Sequence, residues 1–125
     1  MRYLAFLLVP LLLVGCATAT SDLSPEDQAV LRFDSVSLDG RVEILEVNRA
    51  QAGDLIRSQV LLRNRSAFAL SYQYKFRWYD RNGFEIAPDG EPWQPRRVAG
   101  RSEDRVQGVA PNPSAVRFEV WVREE

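Results

Sequence analysis

The chain has 125 residues, 46% of them hydrophobic and 26% charged, a globular composition with room for one domain. It has no histidine and one cysteine, Cys16, which excludes Ser-His-Asp or Cys-His nucleophile systems, His-ligated zinc or haem, and an imidazole pH switch. With 16 basic and 17 acidic residues the net charge is −1, so nothing drives the chain toward nucleic acid and no nucleic-acid partner is expected.

Met1 and Arg2 open the chain with positive charge, residues 3–14 (YLAFLLVPLLLV) form an apolar run interrupted only by Pro10, and Gly15-Cys16 follows. A membrane span takes about twenty apolar residues, so this shorter run fits the hydrophobic region of an export signal. Leu13-Val14-Gly15-Cys16 resembles the bacterial lipobox, which implies cleavage between Gly15 and Cys16 and lipidation of Cys16. Residues 1–15 then read as a lipoprotein signal peptide, and Cys16 becomes the attachment point to the membrane. A buried free cysteine is the plain alternative, and the complete signal architecture around Cys16 argues against it. A lipidated Cys16 is unavailable as nucleophile, metal ligand or disulfide partner. Each buried methylene contributes about 0.8 kcal/mol, so several acyl chains on one cysteine hold a protein stably. Ala17 stands where inner-membrane lipoproteins commonly carry Asp, and that resemblance implies the periplasmic face of the outer membrane.

Residues 16–28 are small, polar and acidic beyond the cysteine and read as a flexible tether; residues 29–125 read as the folded domain. Weak strands are expected at 30–33, at 41–47, where Ile44-Leu45 breaks the alternation and suggests a bulge, and at 56–64. The clearest period-two run is 70–80: Leu70, Tyr72, Tyr74, Phe76 and Trp78 share one parity and read as core, while Ser71, Gln73, Lys75, Arg77 and Tyr79 share the wet one. Further strands are expected at 83–86 and 105–109. The last places Val116, Phe118, Val120 and Val122 inward against Arg117, Glu119, Trp121 and Arg123. About seven strands and no helix-length amphipathic stretch give an all-β fold, an immunoglobulin-like antiparallel β-sandwich after a signal peptide and short tether.

The stretch 74–86, YKFRWYDRNGFEI, combines a long strand, Asn82-Gly83 and a return strand, and predicts a hairpin with a two-residue type I′ loop. Asp80, Asn82, Gly83 and Glu85 also suggest a fragment of a calcium loop, but the spacing departs from the EF-hand and the flanks are strands. The hairpin is preferred and no metal site is expected.

On Cys16, on the pattern Tyr-x-Phe-x-Trp-Tyr-Asp-x-x-Gly-Phe-Glu at 74–85, and on Pro92-Trp93, Gly100, Val106, 110–113, Ala115 and Phe118, the chain resembles the YcfL-like family of periplasmic lipoproteins. The resemblance covers most of the chain from Val42 onward. It implies one β-sandwich domain of undetermined molecular role, no catalytic residues, and work in the cell envelope.

The acids Asp34, Asp39, Glu43, Glu46, Asp54, Glu85, Asp89, Glu91, Glu103 and Glu119 are scattered over strand ends and wet faces, unlike the convergent carboxylate pair of a glycosidase. With no Gly-rich phosphate loop, Ser-x-x-Lys or CxxC motif, no enzymatic activity and no cofactor are expected. Binding is the favoured class. Arg77, Tyr79 and Trp121, with Arg117 and Arg123, would line one wet face if their strands share a sheet, and Trp93 lies in a proline-rich loop expected at 88–97. That loop could instead cover Trp121. The expected role is contact with an envelope protein or a cell-wall component such as peptidoglycan; the alternative is a small ligand or glycan held on the sandwich.

Overall fold

The computed structural model describes residues 23–125. Cys16, Gly15 and the rest of the expected signal peptide and early tether lie outside the described residues.

One turn of helix, α1 (Pro25–Gln28), opens the described chain. Ser24 caps it, its hydroxyl accepting from the Asp27 backbone N–H at 3.1 Å. Asp27 then pairs with Arg49 at 2.8 Å, so the end of the expected tether is helical and tied to the body rather than free.

Eight strands follow: β1 (Leu31–Phe33), β2 (Val42–Ala52), β3 (Leu55–Asn64), β4 (Leu70–Tyr79), β5 (Glu85–Ile86), β6 (Gln94–Val98), β7 (Glu103–Val109) and β8 (Arg117–Glu124). They form two sheets of a β-sandwich, as the alternation predicts. One sheet runs β1-β8-β4-β5 with β6 also on β4; the other runs β2-β3-β7. Four features depart from expectation. β1 pairs with β8 in parallel, Leu31 opposite Val120 and Phe33 opposite Val122, so the sandwich is not wholly antiparallel. The expected loop at 88–97 ends in β6, which pairs antiparallel with the first half of β4; Pro95 is tolerated there because β6 is an edge strand. Val116 is 54% exposed: its N–H donates to the Tyr79 carbonyl at 2.9 Å, and β8 enters the sheet only at Arg117. The fourth is the β4–β5 turn. Gly83 donates to Asp80 O at 3.0 Å with φ +85, and Asp80 N–H donates to Phe84 O at 2.9 Å, a three-residue loop closed by a glycine bulge. Asn82 keeps negative φ, and the two-residue type I′ loop is therefore replaced.

The bulge expected at Ile44-Leu45 is present: the β2–β3 register shifts between Ile44 and Glu46. Downstream of it, inward positions continue as Val47, opposite Val60.

Parity on β4 and β8 sorts the core. Tyr72, Phe76, Trp78, Phe118, Val120 and Val122 are buried and face Val60, Leu62 and Val106 of the other sheet, while Tyr74 is half-buried at the edge. Phe76 stacks on Trp78 with centroids 5.9 Å apart, and Phe118 packs against both. Gly108 occupies an inward position of β7, where a Cβ would meet the Phe76 ring at 2.8 Å; the missing side chain is what admits that ring. At one end Asn64 ties the β3–β4 and β6–β7 loops together. Its amide donates to the carbonyls of Phe68 (2.8 Å), Val98 and Ala99 (3.2 Å each), and its Oδ1 accepts from Ser66.

Candidate binding face

β4 lies between β8 and the β5/β6 edge, so the wet parities of all these strands form one face. Gln73 stands opposite Arg123, Lys75 opposite Trp121, Arg77 opposite Glu119 and Tyr79 opposite Arg117; Arg32 of β1 flanks Trp121, and Arg97 of β6 flanks Ser71.

The structure brings all four expected face residues, Arg77, Tyr79, Trp121 and Trp93, onto this surface, each half-buried. Each ring has a guanidinium over it. Arg77 lies 4.2 Å from the Trp121 centroid, Arg117 4.0 Å from Tyr79, and Arg123 4.1 Å from Trp93. The 88–97 segment leaves Trp121 uncovered by Trp93, whose ring instead meets Arg123 and, at 5.2 Å, Lys75.

Glu119 is the polar hub of the face. Arg32 Nε donates to it at 3.0 Å and the Trp121 indole N–H at 3.4 Å. Burial pushes its carboxyl up, yet hydrogen bonds from Tyr79, Trp121 and Arg32 and the Arg32 charge leave it below the ordinary value. Burial, with the bond to Glu119, pushes the Tyr79 phenol up to about 12, so it remains a donor. Arg77 approaches Glu85 at 3.8 Å. Parity puts Lys75 and Glu119 on the wet side of their strands, though not as binding residues, and does not reach Arg32 and Arg97. Lys75 was legible by its shared parity with Arg77, whereas Arg32 and Arg97 depend on which strands lie at the edges.

Six cations (Arg32, Lys75, Arg77, Arg97, Arg117, Arg123) thus face two carboxylates (Glu85, Glu119). On the opposite edge of the sandwich a separate network crosses between sheets: Tyr72 donates to Asp104 at 3.0 Å and Arg96 Nε to the same carboxylate at 2.8 Å. Burial raises the Asp104 carboxyl, but those hydrogen bonds leave it lowered overall, and burial beside Asp104 raises the Tyr72 phenol.

Glu85 and Glu91 line one recess of about 50 Å³ with Trp78 and Ile86, too small for a sugar ring. Glu91 is held above the usual carboxylate range by burial. In the expected calcium fragment, Asp80 Oδ1 accepts from the backbone N–H groups of Asn82 (2.9 Å) and Phe84 (3.0 Å), so its carboxylate shapes the turn. Larger troughs are open to solvent on either side of β1. One, about 390 Å³, holds Arg49, Arg117 and Phe118; the other, about 370 Å³, holds Leu31, Phe33, Val36 and Trp121.

A family model described as "Protein of unknown function (DUF1425)" matches residues 29–124. Among solved structures, a DUF1425 family member from Shewanella sp. pv-4 is 31% identical with a TM-score of 0.61, covering 67% of this chain and 78% of that one. Campylobacter jejuni cj0090 superposes with a TM-score of 0.62 at 20% identity, over 78% of this chain and 100% of that one, a likeness of fold. No curated protein matches.

Proposed function

The chain belongs to the DUF1425 family, and from that premise we propose that it is a YcfL-like lipoprotein, held by lipid at Cys16 on the periplasmic face of the outer membrane, that works by contact rather than catalysis. The surface it uses is the outer face of the β1-β8-β4-β5 sheet, and the partner is an envelope protein or a cell-wall component. The observation that carries this reading is the set of three cation-ring stacks on that face. Aromatic and arginine side chains dominate interface energetics, and stacking already restrains these arginines before a partner arrives.

Two experiments test it. Cys16→Ala should abolish labelling by radioactive palmitate and release the protein from membranes; unchanged labelling sinks the anchor. Tyr79→Ala/Trp121→Ala should lower crosslinking to a partner in intact cells while the domain still melts cooperatively. Full crosslinking by a folded double variant moves the contact elsewhere. A second reading, a small ligand, is favoured by the open trough of about 370 Å³ beside Trp121, where Leu31, Phe33 and Val36 are joined by Arg32 and Asp39, and Val36→Asp should weaken such binding.

A further inference from the structure

Lys75 and Arg123 converge on one ring. Lys75 Nζ is 5.2 Å and the Arg123 guanidinium 4.1 Å from the Trp93 centroid, with Arg123 Nε fixed by the Gln73 amide oxygen at 2.7 Å. Neither cation makes an ion pair among the described residues, nor do Arg97 and Arg117 of the same face. Glu91 feels the Lys75 charge but forms no ion pair with it. Two like charges gathered around one indole repel each other, and an anionic group received between them removes that cost.

Resting on the contact reading above, we propose that the Lys75–Trp93–Arg123 corner is a carboxylate-binding subsite and that the partner is an acidic polypeptide segment. Each ring of the face already has a guanidinium stacked on it, which puts positive charge beside every aromatic surface there. What remains open on Arg123 is the terminal N–H fork, which suits a carboxylate. α1 leads into β1, which runs parallel to β8, so α1 lies at the Arg117 end of the sheet. Arg123 lies six residues further along, about 20 Å at the strand rise, at the end of the sheet away from α1.

The test is fluorescence anisotropy of labelled hexaglutamate with the full chain in detergent at low salt. Hexaglutamate should bind and hexaglutamine should not. Lys75→Gln/Arg123→Gln should weaken binding at least tenfold with an unchanged melting midpoint, while Arg63→Gln/Arg105→Gln, the same charge loss on the other sheet, should change it less than twofold. Lys75 is the chain's single lysine, so its protection from reductive methylation by hexaglutamate reads the site without any variant. Equal weakening by both pairs, no preference over hexaglutamine, or no protection of Lys75 overturns the proposal. So does binding of isolated sacculi or phosphatidylglycerol vesicles that depends on Lys75 and Arg123 when hexaglutamate does not bind. If crosslinking in cells still depends on Tyr79 and Trp121 in that case, the contact reading survives and the acidic-segment inference alone fails.

Discussion

On the outer face of the β2-β3-β7 sheet, Arg57, Arg63 and Arg105 are matched by Glu43, Glu46 and Glu103, with Arg105 reaching Glu46 and the neighbouring loop residue Arg65 reaching Glu43, both at 3.9 Å. Across the sandwich, the outer face of the other sheet carries the three cation-ring stacks and an excess of unpaired cations. Both faces are built on equally regular strands and meet the same solvent. Folding requires only that such faces be wet, and surface ion pairs add about 0–1 kcal/mol each, so the balanced face is what stability and solubility alone would produce. The asymmetry of the other face costs self-repulsion in the free protein, which the acidic segment proposed above would offset.

The sharpest test of that contrast sets aromatic residues of the two parities against each other. Trp78 is 2% exposed between Phe76 and Phe118, and Trp78→Ala should cost about 3–5 kcal/mol by leaving a core cavity. Trp121→Ala should cost about 1 kcal/mol or less, since only its stack with Arg77 and one long indole bond are lost. Equal losses in denaturant titrations would make the outer face part of the core. Next in size, Asn64→Ala strips a donor from the carbonyls of Phe68, Val98 and Ala99 and should cost about 2–3 kcal/mol, loosening both loops in hydrogen exchange without altering the face.

Acid titration separates the regions by sign. Glu119 on the face and Asp104 on the inter-sheet network both have folded values below their ordinary 4.5 and 3.8. The unfolded chain therefore binds more protons there in acid. Their stabilisation is complete above those ordinary values and is lost as pH falls through the lower folded ones. Glu119→Gln/Asp104→Asn should flatten the acid limb of stability against pH, and an unchanged limb would break the assignment. The smallest effect is opposite in sign. Glu91 has a raised folded value, so its charge opposes folding at neutral pH and ceases to do so below 4.5. Glu91→Gln should raise the melting midpoint slightly at pH 7, and that gain should vanish near about pH 4.

Alternation alone assigned the inward set Leu70, Tyr72, Phe76, Trp78, Phe118, Val120 and Val122 and placed the bulge after Ile44, because the strand period of two is a local property of the backbone. It likewise put Arg77 and Tyr79 on one side and Trp121 on one side of their own strands. That these sides became one face was decided by β8 lying beside β4, a pairing between segments some forty residues apart that no local pattern encodes. The same holds for the parallel docking of β1, for Val116 turning outward before its strand begins, and for β6. The last, a short polar segment with one proline and two arginines, reads as loop because its strand character comes from hydrogen bonds offered by the open edge of β4. The meeting of Lys75, Trp93 and Arg123 belongs to this second class: each residue was visible alone, and only two strands in register, with the segment that leads into β6, bring their side chains together.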